Sequence, residues 1–162
     1  MLLPLELIDL SQVTTINVMG KGGKERDIAV LLPNWKRVGA ALYDYEINYQ
    51  GQIIRIEIKK QQNLQWFDSG KYNDLSSVDR KILVVFVNHD KGEIVTILVA
   101  ELGPLIDWLC ENRKKDGWTK EVLKVGALFK ERYPSLQFKA PVHVATLSRE
   151  APELFEVLYS KL

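Results

Sequence analysis

The chain has little of what would assign it quickly to a class. It carries one cysteine in 162 residues, Cys110, which excludes an intrachain disulfide and a cysteine-based zinc cluster. The setting of that residue, Leu105-Ile106-Asp107-Trp108-Leu109-Cys110, reads as a buried helix face, so the thiol is expected to be inert core. Charge of one sign is also lacking. The net charge is +1, from 22 basic and 21 acidic residues, so no global basic field advertises a polyanionic partner. No apolar run approaches the length of a bilayer span, and no membrane association is expected. The opening Met1-Leu2-Leu3-Pro4-Leu5-Glu6 lacks the positive region of a secretory leader and is broken by acids, so the cytoplasm is the expected location. Gly20-Lys21-Gly22-Gly23-Lys24 is glycine-rich, but the second glycine of the required spacing and the following Lys-Ser/Thr are missing, so it is no P-loop. Internal repeats, low-complexity tracts and linkers are absent.

What is present suffices for one domain spanning 1–162, because 46% of the residues are hydrophobic. Pro4 to Leu10 reads as a short opening helix. The run Asp27-Ile28-Ala29-Val30-Leu31-Leu32 fits helix or buried strand, since periodicity cannot settle so short a segment. Ile82-Leu83-Val84-Val85-Phe86-Val87 is β-branched and aromatic throughout, the pattern of a central strand buried on both faces. Asn88-His89-Asp90-Lys91-Gly92 turns the chain into a second strand, Ile94 to Val99. His89 beside Asp90 has the chemistry of a proton shuttle or ligand, but a lone histidine in a hairpin turn is expected to be exposed and idle. Pro104 to about Asn112 is predicted helical, with proline in the first turn. Thr119 is expected to cap a helix from Lys120 to Arg132. Val142 to Leu147 reads as a strand and Pro152 to Leu162 as a closing helix.

The segment with most chemical content is Asp44-Tyr45-Glu46-Ile47-Asn48-Tyr49-Gln50-Gly51-Gln52-Ile53-Ile54-Arg55-Ile56-Glu57-Ile58-Lys59. It reads as a hairpin turning at Gln50-Gly51. That register sets Glu46 opposite Arg55, an ordinary favourable pair, and Asp44 opposite Glu57. Alternation puts Asp44, Glu46, Asn48, Ile53, Arg55, Glu57 and Lys59 on one face, and Tyr43, Tyr45, Ile47, Tyr49, Ile54, Ile56 and Ile58 on the other, buried, face. Like charges directly opposite are destabilising, so the Asp44–Glu57 pair calls for an explanation. A divalent cation between them turns the repulsion into attraction, and Lys59 lies two residues along the same face.

An acidic residue, a hairpin ending in Glu-x-Lys, then a helix and a buried apolar strand: in this order the chain resembles the PD-(D/E)xK nuclease superfamily, and within it the small type II restriction endonucleases. The resemblance covers roughly residues 20 to 110. It implies an α/β fold of restriction-endonuclease type, with a central mixed β-sheet flanked by α-helices, and favours a helix over residues 25 to 40. It implies Mg2+-dependent hydrolysis of DNA phosphodiester bonds. Asp44 and Glu57 would hold the metal, and Lys59 would orient or activate the attacking water. No proline precedes Asp44 here, and Asp27 and Glu46 compete for the aspartate's place. Double-stranded DNA is the implied substrate, and a two-fold homodimer is implied if both strands of a palindrome are cut. Repair and junction nucleases, and inactive binding domains, share the fold and remain open alternatives.

Several residues are placed to contact that nucleic acid. Gln61, Gln62 and Asn63 follow Lys59 and Lys60, and their amides suit the edge of adenine. Lys21 and Lys24, in the basic glycine-rich loop, could lie along a phosphate backbone. The region from 116 to 162 lies beyond the superfamily core, where recognition or dimer contacts could be built.

Overall fold

The computed structural model describes residues 2–16, 28–40, 42–59, 63–67, 75–112, 136–143 and 148–161. Among the described residues the strands are β1 (Lys36–Arg37), β2 (Tyr45–Tyr49), β3 (Gln52–Lys59), β4 (Asn63–Phe67), β5 (Leu83–Asp90), β6 (Glu93–Glu101), β7 (Leu136–His143) and β8 (Phe155–Ser160), and an α-helix, α1, covers Leu102–Asn112. Two hairpins build the centre, and both turn on a residue followed by glycine. Gln50 and Gly51 have φ of 51° and 82°, and Lys91 and Gly92 have φ of 50° and 86°. Positive φ at both central positions defines the type I′ turn, whose twist matches that of the flanking strands, and the glycine removes half of the steric cost.

The hairpins assemble a six-stranded sheet in the order β1-β2-β3-β5-β6-β8. Strand β3 runs parallel to β5, with Ile56 beside Leu83, Glu57 beside Val84, Ile58 beside Val85 and Lys59 beside Phe86. The other pairs of this sheet are antiparallel, so the sheet is mixed. Strands β4 and β7 form a separate antiparallel pair.

Alternation along β5 divides the core in two. Leu83, Val85 and Val87 join Ile56, Ile58, Ile97 and Val99 against the N-terminal segment, which contributes Leu3, Ile8, Val13, Leu31 and Trp35. The Trp35 indole also donates to the carbonyl of Leu7 at 2.7 Å, tying two parts of that segment together. On the opposite face Val84 and Phe86 join Leu98 and Ala100 beneath Leu102, Leu105 and Ile106 of α1. The continuous apolar run in the sequence is thus explained, since β5 is covered on both sides. The start of α1 is held by the Leu102 amide donating to Ile82 and by the double hydrogen bond from Arg80 to Asp107.

The sheet-rich content departs from the sequence expectation in definite places. The opening segment forms 3-10 turns at Leu5–Leu7 and Leu10–Thr15 rather than an α-helix, and Ala29–Leu31 is another such turn. The predicted closing helix is a 3-10 turn, Pro152–Leu154, followed by strand β8, so that expectation fails. Proline at a helical first position was the misleading signal. What wins is pairing with the open edge of β6, where Phe155 lies opposite Ala100 and Tyr159 opposite Ile97. Strand β7 begins earlier than the predicted Val142 and ends at His143. The helix expected after Glu-x-Lys, ending near Leu75, and the one from Lys120 to Arg132 lie outside the described residues. Among the described residues no helix is long and apolar enough to cross a membrane.

Candidate active site

The hairpin has the register read from its sequence. Tyr45 pairs with Ile56, Glu46 with Arg55, Ile47 with Ile54, Asn48 with Ile53 and Tyr49 with Gln52. The ladder then changes at Asp44. The amide of Asp44 donates to the carbonyl of Ile56 at 2.8 Å, although Ile56 is already the partner of Tyr45. Two residues of one strand opposing one of the other is the pattern of a β-bulge, which shifts the alternation upstream, so Asp44 shares Ile56 with Tyr45 and does not lie opposite Glu57 as the hairpin spacing predicts. Tyr43 is therefore not on the Tyr45 face, as strict alternation predicts. It packs with the opposite core, and the Arg55 guanidinium lies 5.2 Å from the centre of its ring.

The bulge gives Asp44 a defined position. Its Oδ2 accepts from the backbone amide of Ile58 at 2.8 Å, replacing the strand partner that β2 no longer provides. That amide belongs to the peptide linking Glu57 to Ile58, so the Asp44 carboxylate is pinned beside the backbone of Glu57. Oδ1 of Asp44 accepts no hydrogen bond among the described residues.

Glu57 and Lys59 share the face of Val84 and Phe86, their partners on β5. The Lys59 ammonium lies 3.3 Å from Oε1 of Glu57, and the two side chains retain only 25% and 15% of their exposure. Burying such charges costs free energy that the attraction between them barely returns, and apolar replacements of similar size are often neutral or stabilising. The pair lies beside the apolar Val84 and Phe86, on a face that also carries Arg55. Charged groups gathered this way are candidates for chemistry.

The competing carboxylates fare differently. Glu46 faces Arg55, with Oε2 3.8 Å from Nε, and is committed to the cross-strand pair. Asp27 lies outside the described residues, as do Lys21, Lys24, Lys60, Gln61 and Gln62. Asn63 is described only by its strand: it opens β4 and pairs with His143 of β7. His89 belongs to strand β5, paired with Ile94, rather than to the turn, which is formed by Lys91 and Gly92.

Sequence reasoning passed over two polar residues. Asn88, 6% exposed, continues the face of Val84 and Phe86 and donates to Oγ1 of Thr96 at 2.7 Å. A polar residue continuing the period-two series of a buried strand was the available signal. Arg55 was read as half of a surface pair, yet its Nε is buried without a hydrogen-bond acceptor among the described residues. That feature depends on the bulge at Asp44, which brings Tyr43 across, and spacing alone does not reveal it.

The donor set can be tested against magnesium. Among the described residues no group of three or more His, Cys, Asp or Glu side chains is placed to hold a metal. Asp44 and Glu57 alone would leave most positions to water and substrate. Mg2+ commonly binds in this way, through one or two carboxylates, retained waters and phosphate oxygens. Asp44 and Glu57 match that number of donors and are too few for a dehydrated cage. Comparison with known proteins returned no match, whether to a family model, to a curated protein or to a solved structure.

Proposed function

We propose that the chain is a Mg2+-dependent endodeoxyribonuclease that hydrolyses DNA phosphodiester bonds, with Asp44 and Glu57 as metal ligands and Lys59 as the catalytic cation. One observation carries the reading: a partly buried Glu57–Lys59 pair beside the apolar Val84 and Phe86, with the Asp44 carboxylate fixed to the intervening Ile58 amide. The mixed sheet supports it further. The hairpin bearing Glu-x-Lys is followed in the sheet by the buried apolar strand β5, alongside the glutamate strand.

Each side chain has a separable task. Asp44 is oriented by a backbone hydrogen bond, so its free oxygen is presented without loss of side-chain entropy on binding. Glu57 supplies the second carboxylate from a strand held on both sides. Bound Mg2+ would act as a Lewis acid and lower the pKa of a coordinated water. Lys59 then turns from Glu57 towards the attacking water or the phosphate oxygens, where its charge favours the more negative transition state.

The finer reading is a type II restriction endonuclease acting on a short duplex sequence as a two-fold dimer, because a palindrome presents the same target to each subunit. Incubation of the purified protein with plasmid, genomic and branched DNA in the presence of Mg2+ tests it. Discrete fragments from duplex DNA are the expected result. Preference for branched or damaged DNA would instead establish a repair or junction nuclease, and no metal-dependent cleavage of any substrate would overturn the nuclease reading.

A further inference from the structure

A cleft of about 520 Å3 opens at the N-terminal ends of β3 and β5, where the β2–β3 hairpin extends past the first residue of β5. Tyr49, Gln52, Arg55, Val78, Lys81 and Glu101 are among its walls. Its volume is that of an ordinary small-ligand site, large enough for a nucleotide unit. Arg55 connects it to the candidate active site, for it lies on the same face of β3 as Glu57 and Lys59.

Arg55 is unusually well fixed for a cation at the edge of a cleft. Its guanidinium rests 5.2 Å from the centre of the Tyr43 ring, and Glu46 approaches its Nε to 3.8 Å. Neither contact completes its hydrogen bonding, since that Nε has no acceptor among the described residues. An arginine pre-set by an aromatic ring loses little entropy when a planar or tetrahedral anion binds, and its fork of donors matches phosphate oxygens. Arg55 and Glu57 are two positions apart along the strand, roughly 6.6 Å at about 3.3 Å per residue. That separation is close to the spacing of successive phosphates on one nucleic-acid strand.

We infer that Arg55, with Lys81 across the cleft, anchors the DNA backbone at a phosphate adjacent to the one cleaved at Glu57 and Lys59. The inference rests on the nuclease reading and deepens it, for it sets the path of the strand along β3. Arg55 is a positioning residue in this scheme: it holds the substrate and touches neither metal nor attacking water.

The test is binding of a fluorescent duplex to the full chain across a salt series, with Ca2+ replacing Mg2+, alongside cleavage in Mg2+. The variants are Arg55→Ala, Arg55→Lys and Lys81→Ala, with Lys161→Ala as a control for loss of charge elsewhere. Each lost phosphate contact should lower the slope of log affinity against log salt by about 0.9. Arg55→Ala should weaken binding on the order of tenfold and raise KM more than it lowers kcat, and Arg55→Lys should recover part of the loss. Lys81→Ala, at an exposed residue, should show the same change of slope even if Arg55→Ala fails to fold. Unchanged affinity and slope in Lys81→Ala and in a folded Arg55→Ala, with wild-type cleavage intact, would overturn the inference and leave the nuclease reading standing. A wild type that neither binds nor cuts DNA would overturn both.

Discussion

Asp44 has two separable duties in this account, and two substitutions tell them apart. Its Oδ2 satisfies the Ile58 amide at 2.8 Å, and its remaining oxygen is offered to the metal. Asp44→Asn keeps a carbonyl oxygen for the amide but gives up the charge. Replacing a charged acceptor by a neutral one costs about 1 kcal/mol, from roughly 1.5–3 for the charged bond to 0.5–1.5 for the neutral one. Without metal, then, Asp44→Asn should melt within roughly 2–4 °C of the wild type, given the sensitivity of a domain of this size. Asp44→Ala leaves a partly buried amide without its acceptor and should lose about 1–3 kcal/mol. Magnesium reverses the ranking of interest. At a hundred times its dissociation constant it stabilises the wild type by about 2.7 kcal/mol, or roughly 5–10 °C. Asp44→Asn should lose most of that shift. Thermal melts with and without Mg2+ read both effects. An Asp44→Asn protein that retains the full magnesium shift would refute the assignment of Asp44 as a ligand, and an Asp44→Ala protein as stable as the wild type would refute its structural duty.

Two further predictions concern the packing that supports the site. At Gly103, near the start of α1, an added Cβ would stand 2.9 Å from the Cβ of Arg80, which is the stem of that side chain and not its mobile end. Gly103→Ala gains about 1 kcal/mol of helix propensity but incurs roughly 1–3 kcal/mol of overpacking, so a net loss of about 1 kcal/mol should appear in chemical denaturation. The Arg80 guanidinium, chiefly through its hydrogen bonds and then its charge, holds the Asp107 carboxyl below the ordinary value of 3.8. The stabilisation is thus fully present above the unfolded pKa, about 3.9, and is lost as pH falls through the depressed folded value. Because both side chains are substantially exposed, the effect should be small. Asp107→Asn should flatten the stability profile between about pH 2 and 4, measured by denaturant titration, with its small loss of stability present at pH 7 and gone by about pH 2.

The candidate site was legible because a hairpin carries its own register. Gln50-Gly51 fixes the turn and the turn fixes every pair from Tyr49 to Tyr45, so Glu57 and Lys59 could be put on one face from spacing alone. The apolar run at Leu83 to Val87 likewise announced a strand covered on both sides. What escaped depends on distant partners. The bulge at Asp44 arises where β2 gives out against the longer β3, and it moves Tyr43 to the other face in a way no local period encodes. Phe155 to Ser160 is a strand because β6 has an edge to fill, and Pro152 only marks the turn before it. Its alternation of Phe155, Val157 and Tyr159 with Glu156, Leu158 and Ser160 is the local signal of a strand, and Pro152 at a helical first position points the other way.

The central claim is that Asp44, Glu57 and Lys59 together make a metal-dependent phosphodiesterase, and single-turnover cleavage of duplex DNA tests it most directly. Wild type, Glu57→Gln and Lys59→Ala would be compared at saturating protein, with Mg2+ and with chelator. Glu57→Gln preserves shape and packing, so a loss in that variant cannot be assigned to unfolding once its melting curve matches. The account predicts cleavage that requires Mg2+ and falls at least about a hundredfold in each variant, as expected when a positioned acid–base or electrostatic group is removed. Cleavage that persists in Glu57→Gln and Lys59→Ala at the wild-type rate would contradict it. So would a folded wild type that cuts no DNA with Mg2+, which would leave Glu57 and Lys59 as part of the charged face of β3.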